Sequence, residues 1–513
     1  MHNRWLALPL LAGLTLAGAG FIGYGSEQRD GVRLLDQVVT RLHREAIDST
    51  SLDEIYEKAA RGLVRTLDDP YSALFSPQEM ARFQRESLGN SYGGVGLLLE
   101  DQDGVIAVTR VFPQTPGEAA GVKAGDRIVA VDGQAVNGLK LEQVSRRLLG
   151  TPGTEVALTI AREGVSDPMQ NRLVRAVVHV PSVPYALMLD GNIGYVPLQR
   201  FNDVASRELA SAVQRLQQQG AKGIILDLRG NPGGDLDESI KVANVFLPPG
   251  TKVVEVRYRS RPTEVRAGDQ QPVSADLPLV VLTDSSTASA SEIVAGALQD
   301  HDRAILLGTT SFGKGVVQTL YPLDQGWYLK ITNAKWYTPS GRSIQRDRHR
   351  GGPADSVVPD HLRPVYKSDA GRQVYGGGGI VPDVTVFADT LTDGEQKLQR
   401  ILSTKSKESN AALTKLAKQV RSKLKPDFEV QPAWRDSVFR AWMRAGVGVS
   451  RSQFEAGQPL VDRLIGQRLS RTVFGDSTAF RRWVPEDAQV RKAIELLQAA
   501  PTQMELLTTV AAK

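Results

Sequence analysis

The stretch from residue 223 to residue 243 reads GIILDLRGNPGGDLDESIKVA and indicates the fold of the central part of the chain. Its first six residues, Gly223 to Leu228, have the apolar composition and length of a buried strand, and a glycine-rich turn follows them. Leu236, Ile240 and Ala243 then recur at helical spacing. A buried strand joined by a short turn to an amphipathic helix is the building unit of an α/β sheet.

The same alternation continues on both sides of this unit. A strand-like run at Gly194 to Leu198 precedes a helix face formed by Leu209, Val213 and Leu216. Another apolar run, Leu277 to Leu282, follows the unit and precedes a third helical stretch, Val294 to Leu298. We therefore predict an α/β (α+β) core over residues 183–390.

Three other regions differ from this core in their pattern. Residues 26–88 show helical periodicity and predict an N-terminal helical segment. Residues 89–182 alternate short strand-like runs with turns rich in glycine and proline, which predicts a small β-rich domain. Residues 391–513 predict a helical region with 21 basic and 13 acidic residues. Its net positive charge suits an acidic partner or an anionic membrane surface, and a solvated helical face explains the charge equally well.

The first 25 residues resemble an export signal. Arg4 precedes a run of 19 uncharged, mainly apolar residues at positions 6–24. The small residues Ala17, Gly18 and Ala19 offer a cleavage site, while the length of the run also suits an uncleaved membrane anchor. Both a signal peptide and an anchor therefore remain open for residues 1–25.

Composition excludes several kinds of chemistry. The chain has no cysteine, so disulfides, zinc–thiolate sites and a cysteine nucleophile are impossible. Its six histidines are scattered without a metal-ligand spacing, so we predict no metal site and no required cofactor. The overall excess of 62 basic over 57 acidic residues is small, and we predict no nucleic-acid partner.

Two short motifs match enzyme patterns only in part. GNSYG at 89–93 fits the nucleophile elbow, but a strand-like run follows Ser91 where that motif requires a helix. GTTSFGK at 308–314 fits a phosphate-binding loop, but Gly315 stands where a serine or threonine should hold magnesium. Neither motif predicts a function.

A third motif, TASASEI at 287–293, has two interpretations. Ser289 and Glu292 form the Ser-x-x-Glu pattern of a helix capping box, and this role alone would explain both residues. A nucleophilic serine would also profit from a helix N-terminus, because free amides and the helix dipole stabilise an oxyanion formed beside it. The local pattern does not separate these interpretations.

Taken together, four motifs resemble the carboxyl-terminal processing proteases, which are serine peptidases with a Ser/Lys dyad and an embedded PDZ domain. The resemblance covers roughly residues 30–390 and includes a spacing of 25 residues from Ser289 to Lys314 and of 4 from Lys314 to Gln318. The four motifs are DLRGNPGG at 227–234, TASASEI at 287–293, GTTSFGKGVVQ at 308–318 and GGIVPD at 378–383.

The resemblance implies that Ser289 is the nucleophile, Lys314 the general base and Gln318 the residue that orients the lysine amine. Lysine accepts a proton only when neutral, so its pKa must fall from about 10.4 towards roughly 7 to 8, which burial achieves. In a straight strand, Lys314 and Gln318 would lie about 13 Å apart. We therefore expect irregular backbone at Gly315.

The resemblance also implies an oxyanion hole, and a Ser/His/Asp triad remains the alternative mechanism. The amide of Ala290 would supply one donor, and the amide of Gly233 or Gly234 the second, with the choice left open. A Ser/His/Asp arrangement would have to use His301, which lies 12 positions after Ser289. About three helical turns would then separate the two side chains.

YGGVGL at 92–97 looks like the carboxylate-binding loop of a PDZ domain. Backbone amides around Gly94, Val95 and Gly96 can hold a terminal carboxylate, while Leu97 and Leu99 line an apolar pocket. The implied substrates are proteins with exposed C-termini.

The resulting hypothesis is a bacterial enzyme exported to the periplasm, either free or anchored to the inner membrane through its N-terminal segment. It combines a crotonase-like α/β protease core with an inserted PDZ domain and helical N- and C-terminal segments. We expect a homo-oligomer that contacts through Leu34 to Leu42 and Ala493 to Leu497, and an activating or adaptor protein is compatible with the sequence. The alternative from another class is a non-catalytic PDZ scaffold that binds tails and leaves them intact.

Overall fold

The computed structural model describes residues 26–84, 91–102, 104–162, 164–350, 358–359 and 362–511 of the 513-residue chain. The predicted export signal at residues 1–25 lies outside the described residues. No helix of the described ranges is long and apolar enough to cross a membrane.

The helices and strands of the described ranges follow in chain order. The helices are α1 (Ser26–Glu45), α2 (Leu52–Arg65), α3 (Pro77–Phe83), α4 (Pro116–Ala119), α5 (Leu141–Leu148), α6 (Ala205–Gln218), α7 (Leu236–Asn244), α8 (Ala290–Asp300), α9 (Asp393–Thr404), α10 (Ser406–Val420), α11 (Pro432–Arg444), α12 (Arg451–Ala456), α13 (Gln458–Phe474), α14 (Asp476–Trp483), α15 (Ala488–Ala499) and α16 (Gln503–Ala511). The strands are β1 (Ala73–Phe75), β2 (Ser91–Gly94), β3 (Leu97–Gln102), β4 (Val105–Val111), β5 (Arg127–Val131), β6 (Gln134–Ala135), β7 (Glu155–Ala161), β8 (Met169–Val174), β9 (Ala176–His179), β10 (Leu187–Leu189), β11 (Ile193–Pro197), β12 (Gly223–Asp227), β13 (Lys252–Tyr258), β14 (Glu264–Ala267), β15 (Leu279–Thr283), β16 (Ile305–Gly308), β17 (Val316–Pro322), β18 (Tyr328–Tyr337), β19 (Val365–Lys367), β20 (Gln373–Tyr375) and β21 (Val384–Thr385).

The described residues form two compact units, of which the smaller contains residues 26–77, 318–332 and 349–350. In this unit β1 pairs antiparallel with the first residues of β18, and Ala73 lies opposite Lys330. Arg350 donates a hydrogen bond from Nη2 to the carbonyl of Ser72 at 2.8 Å. Helices α1 and α2 belong to the same unit, and much of the apolar surface of α1 is exposed.

The larger unit is built around a sheet with the strand order β10-β11-β12-β15-β16-β21. Strand β10 is antiparallel to β11, and each of the following pairs is parallel. All residues of β11, β12, β15 and β16 are buried. Strands of a parallel sheet are apolar throughout when helices cover both faces, and this sheet meets that condition.

The two faces of this sheet pack against different helices. Ile224 and Leu226 of β12 face a core shared with α6, α7 and α8. Ile225 between them points to the opposite face, where α15 and α16 supply Val490, Leu496 and further apolar side chains. Because alternate residues of a strand point to opposite faces, one apolar strand serves both cores. The predicted mixed α/β class with helical N- and C-terminal segments is confirmed.

One part of the oligomer hypothesis is wrong. The sequence suggested that the apolar face from Ala493 to Leu497 contacts another subunit, but Ala493 is fully buried and Leu497 nearly so. Both side chains pack on the central sheet of their own chain. The helical C-terminal region therefore supplies one layer of the core.

The β-rich domain forms a sheet with the strand order β3-β4-β5-β7-β8, and β6 pairs with β5. Strand β3 is an edge strand, and α5 packs close to it. Val108, Val131 and Leu158 belong to the core of this domain. Helices α9 to α13 form a separate apolar cluster around Trp442 and Val461.

Candidate active site

The junction between β15 and α8 positions Ser289. Strand β15 ends at the buried Thr283, and Asp284 Oδ1 then accepts hydrogen bonds from the amides of Ser286 and Thr287 at 2.9 and 3.0 Å. The Thr287 hydroxyl donates to the carbonyl of Leu228 at 2.9 Å. These bonds tie the loop before Ser289 to the glycine-rich turn that follows β12.

Ser289 does not have the geometry of an ordinary helix cap. A capping residue is normally extended and accepts an amide hydrogen bond with its side chain. Ser289 has φ 55° and ψ −116°, and within the described residues its hydroxyl caps no amide of α8. Such a conformation costs a non-glycine residue on the order of 1–3 kcal/mol and is concentrated at functional sites.

The Glu292 carboxylate connects Ser289 to the segment that carries Lys314. Its Oε2 accepts hydrogen bonds from the amides of Ser289 at 2.8 Å and Lys314 at 2.9 Å. Its Oε1 accepts from the Ser311 hydroxyl at 2.5 Å and from the Gly313 amide at 2.6 Å. One shared acceptor atom therefore holds the backbone nitrogens of Ser289 and Lys314 within about 6 Å of each other.

Sequence reasoning missed this role of Glu292. The capping-box pattern correctly predicted its bond to the Ser289 amide, but the three donors from residues 311–314 come from a distant part of the sequence. Burial raises the pKa of the Glu292 carboxyl, while the four hydrogen bonds donated to it oppose that shift. The further sequence signal was a carboxylate at the third position of a helix whose next six residues, 293–298, are all apolar.

Lys314 lies in irregular backbone that includes Gly315, where the irregularity was predicted. Residues 309–315 form neither helix nor strand, and β17 begins only at Val316. The Trp336 indole donates to the Lys314 carbonyl at 3.0 Å, and the Gly315 amide donates to Gln345 Oε1 at 2.8 Å. Lys314 itself is half-buried. Neighbours on both sides therefore hold its backbone in place.

Gln318 is the third residue of β17. Its side-chain Nε2 donates a hydrogen bond to the Thr332 hydroxyl on β18 at 3.2 Å. The Thr332 amide in turn donates to the Ser72 hydroxyl at 3.1 Å. The structure thus ties the Gln318 amide to its strand neighbour within the smaller unit.

The glycine-rich turn reaches Ser289 through Gly233. A methyl group on Gly233 would lie 2.8 Å from the Ala290 nitrogen and 3.0 Å from Ser289 Cβ. The Gly233 amide donates to Asn231 Oδ1 at 2.9 Å, whereas Gly234 is exposed and its Cα faces the Phe201 carbonyl. Of the two glycines predicted for the oxyanion hole, Gly233 is the one in contact with Ser289 and Ala290.

His301 lies at the opposite end of α8 from Ser289. Its ring nitrogens contact Asp369 Oδ2 and the Lys252 carbonyl, each at 2.7 Å. The helix has 11 residues and is therefore about 16 Å long. Its neighbour Asp300 is buried against Arg342 at 2.6 Å. His301 and Ser289 are thus too far apart for a triad, as expected.

The other partial motifs have the structures that their sequences suggested. Residues 316–322 after the GTTSFGK motif form a strand, whereas a phosphate-binding loop requires a helix there. Ser91 begins strand β2, and residues 89–90 of the GNSYG motif lie outside the described residues.

Within the described ranges, no group of three or more His, Asp and Glu side chains is placed to hold a metal ion.

The predicted carboxylate-binding loop joins β2 to the edge strand β3. Val95 is buried, and its carbonyl accepts a hydrogen bond from the Gly117 amide at 2.8 Å. Gly96 has φ 78°, and a methyl group there would lie 2.3 Å from Thr115 Cβ. Leu97 follows as the first residue of β3 and packs partly against the domain core. The loop is therefore fixed at the start of β3, which is the edge strand of this sheet in the described residues.

Comparison with known proteins agrees with these features. The pattern of peptidase family S41 matches residues 192–360, and a PDZ domain pattern matches residues 107–162. Carboxy-terminal processing protease CtpA of Bacillus subtilis is 35% identical over 335 residues, which cover 65% of this chain and 70% of that protein. The carboxy-terminal-processing protease of Bartonella bacilliformis is 37% identical over 338 residues, covering 64% and 75%.

Among solved structures, a photosystem II D1 C-terminal processing protease is 29% identical to this chain. The match covers 71% of this chain and 89% of that one, with a TM-score of 0.37. From the family patterns and the identity to the two bacterial proteases, the chain belongs to peptidase family S41 and is a serine peptidase of the carboxy-terminal processing protease family, with a PDZ domain.

Proposed function

We propose that the chain is an exported serine endopeptidase that selects proteins by their free C-terminal tails and cleaves them with a Ser289/Lys314 dyad. The observation that carries the dyad is the shared Glu292 oxygen, which accepts the amides of both residues. The positive φ of Ser289 supports the same assignment, because a structural cap has no need of a strained serine.

In this mechanism Lys314 takes the hydroxyl proton of Ser289 while Ser289 Oγ attacks the carbonyl carbon of the scissile peptide bond. The tetrahedral intermediate carries its negative charge beside the N-terminus of α8. There the Ala290 amide and the amide of Gly233 or Gly234 stabilise it. The lysine proton then passes to the leaving amine, and water hydrolyses the acyl-enzyme. Gln318 orients the lysine amine in this proposal.

Tail selection is assigned to the β-rich domain. Its edge strand β3 can accept an extended peptide, while the loop from Gly94 to Leu97 meets the terminal carboxylate. The amides of Gly94, Val95 and Gly96 would hold that carboxylate, and the half-buried Leu97 and Leu99 favour an apolar last residue. A non-catalytic scaffold that binds tails would use the same loop. Only a measurement of cleavage therefore distinguishes the protease from the scaffold.

In this proposal residues 1–25 are the export signal and direct the protein to the bacterial periplasm. The protein is there either free or held at the inner membrane by this segment. Its substrates would then be periplasmic proteins with exposed C-termini. An activating or adaptor protein is compatible with this location. A chain recovered from the cytoplasm with its N-terminus intact would contradict the export proposal.

We also propose a homo-oligomer that forms through α1, with a second copy of the chain as the occupant. Leu34, Val38 and Leu42 repeat every four residues, and all three side chains are exposed. A continuous exposed apolar row of this kind marks an interaction surface. Sedimentation of the chain from residue 26 should give at least twice the mass of one such chain, where the full 513-residue chain has 55.7 kDa, and Leu34→Lys with Val38→Lys should reduce it.

The central experiment measures degradation of an unfolded protein that ends in a free apolar carboxyl terminus. Ser289→Ala and Lys314→Ala should each abolish cleavage by the chain from residue 26, and both variants should still bind the tail. Ser286→Ala and Lys335→Ala are matched controls, because both side chains are exposed. Tail binding without cleavage by the unaltered chain would favour the scaffold alternative.

A further inference from the structure

The C-terminal helical region reaches the glycine-rich turn beside Ser289 through Arg229. This arginine follows β12, four residues before Gly233. Its Nη1 lies 2.9 Å from Asp487 Oδ2 and donates to Gln489 Oε1, also at 2.9 Å. Asp487 and Gln489 stand at the start of α15, more than 250 positions away in sequence.

The other side of the Arg229 guanidinium binds Asp227, the last residue of β12. Its Nη2 donates to Asp227 Oδ2 at 2.6 Å, and the Tyr195 hydroxyl donates to the same oxygen at 2.6 Å. The Arg229 side chain is only 19% exposed, and those of Asp227 and Asp487 are 8% exposed. Burial opposes the charge, but the two carboxylates raise the pKa of Arg229 above its usual range. Arg229 is therefore a buried cation between two carboxylates.

The turn that Arg229 begins is connected to the candidate site at several points. The Leu228 carbonyl accepts from the Thr287 hydroxyl, and the Asn231 carbonyl accepts from the Ala288 amide and the Ser291 hydroxyl. Because Gly233 contacts Ser289, a shift at the start of the turn would move the second side of the oxyanion hole.

We propose that Asp487 and Gln489 of the C-terminal region are positioning residues for the reaction, because they hold Arg229 and through it the turn that carries Gly233. The inference rests on the proposed function. It assigns a role in the reaction to the C-terminal helical region, which the sequence motifs do not cover. Neither residue contacts the reacting atoms. Their effect is expected in the rate of the chemical step and not in the selection of tails.

The test variant is Asp487→Asn in the chain from residue 26. Asp487 Oδ1 also caps α15 by accepting from the Gln489 and Val490 amides, and asparagine keeps this acceptor while removing the charge. We expect kcat for the tail-bearing substrate to fall roughly tenfold, because small misplacements of catalytic groups are costly. KM and the Kd of a free-acid tail peptide should stay within twofold, and Asp487→Glu should restore part of kcat.

Asp389→Asn is the matched control. Asp389 lines the same cavity of about 820 Å3 as Arg229 and Asp487, and it pairs with Arg491 of α15 at 3.3 Å. This variant removes the same charge from the same region without touching Arg229, so its kcat should match that of the unaltered chain. Melting temperatures of all variants are measured, and activities are compared well below the lowest of them.

An unchanged kcat in Asp487→Asn would overturn the inference, as would an equal loss in Asp389→Asn. A loss of tail affinity that accounts for the whole effect would also overturn it. These outcomes presuppose that the unaltered chain cleaves the substrate and that Ser289→Ala does not. Absence of cleavage by the unaltered chain would instead count against the proposed function itself.

Discussion

Glu292 accepts four hydrogen bonds with two carboxylate oxygens and is fully buried. Each oxygen receives two donors, so neither can be replaced by an NH2 group without placing donor against donor. We predict that Glu292→Gln destabilises the protein by about 1–3 kcal/mol, because buried donors lose their acceptor. We also predict that kcat falls roughly 100-fold, because the NH2 group faces two donors in either orientation of the side chain, and the segment that carries Lys314 must then shift relative to Ser289. Urea unfolding and steady-state kinetics test both effects.

Glu395→Gln separates the loss of stability from the loss of activity. Glu395 occupies the same third helical position in the capping box of α9, is 3% exposed, and accepts from the Thr392 amide at 2.8 Å. Its substitution should lower stability and leave kcat unchanged. A similar fall of kcat in both variants would refute a specific role of Glu292 in the candidate site.

Gly233 has φ 93° and no room for a side chain, since a methyl group would lie 2.6 Å from the Ala288 carbonyl oxygen. We predict that Gly233→Ala lowers kcat at least roughly 100-fold, because the turn must move away from Ser289 and displaces the amides assigned to the oxyanion hole. Gly230→Ala in the same turn is the control, since φ is also positive but a methyl group meets no described atom within 4 Å. It should cost about 1–2 kcal/mol of stability through backbone strain alone and keep its kcat.

At the scale of elements, the loop before β3 depends on a close approach between Gly96 and Thr115. We predict that Gly96→Ala weakens binding of a fluorescent free-acid tail peptide at least roughly tenfold, because the loop amides lose their arrangement around the carboxylate. The matched control is Gly104→Ala in the β3–β4 hairpin, where φ is also positive and a methyl group meets no described atom within 4 Å. Fluorescence anisotropy measures the peptide affinity of both variants. A C-terminally amidated peptide shows whether binding requires the free carboxylate. Equal affinity of Gly96→Ala and the unaltered chain would count against the loop assignment.

The elements themselves were largely predictable from the sequence. Buried strands such as β12 and β15 are continuous apolar runs, and α7 shows its apolar face at a spacing of three to four residues. The backbone at Gly315 was expected to be irregular only because a straight strand would have separated Lys314 from Gln318. The reason for that irregularity, the capture of residues 311–314 by Glu292, is a contact between distant segments that no local pattern reveals.

At the scale of the molecule, α15 and α16 complete the core by covering one face of the central sheet. We predict that Leu496→Ala, at a side chain with 1% exposure, destabilises the larger unit by about 2–5 kcal/mol because it leaves a cavity. Met504→Ala in α16 is the control, since its side chain is 67% exposed and should change stability by less than about 0.5 kcal/mol. Urea unfolding measures the stability of both variants. Equal urea midpoints for Leu496→Ala and Met504→Ala would show that the C-terminal helices are not part of the cooperative core.

The sequence by itself determined which segments are strands and helices, because local periodicity and residue type depend on neighbours along the chain. The family was indicated by the resemblance of four motifs to a known family. Only the tertiary structure decided that Glu292 holds Ser289 and Lys314 together, that Gly233 contacts Ser289, and that the C-terminal helices cover the sheet. These contacts join residues far apart in sequence, and an amphipathic helix shows that it needs a partner surface without showing which surface it finds.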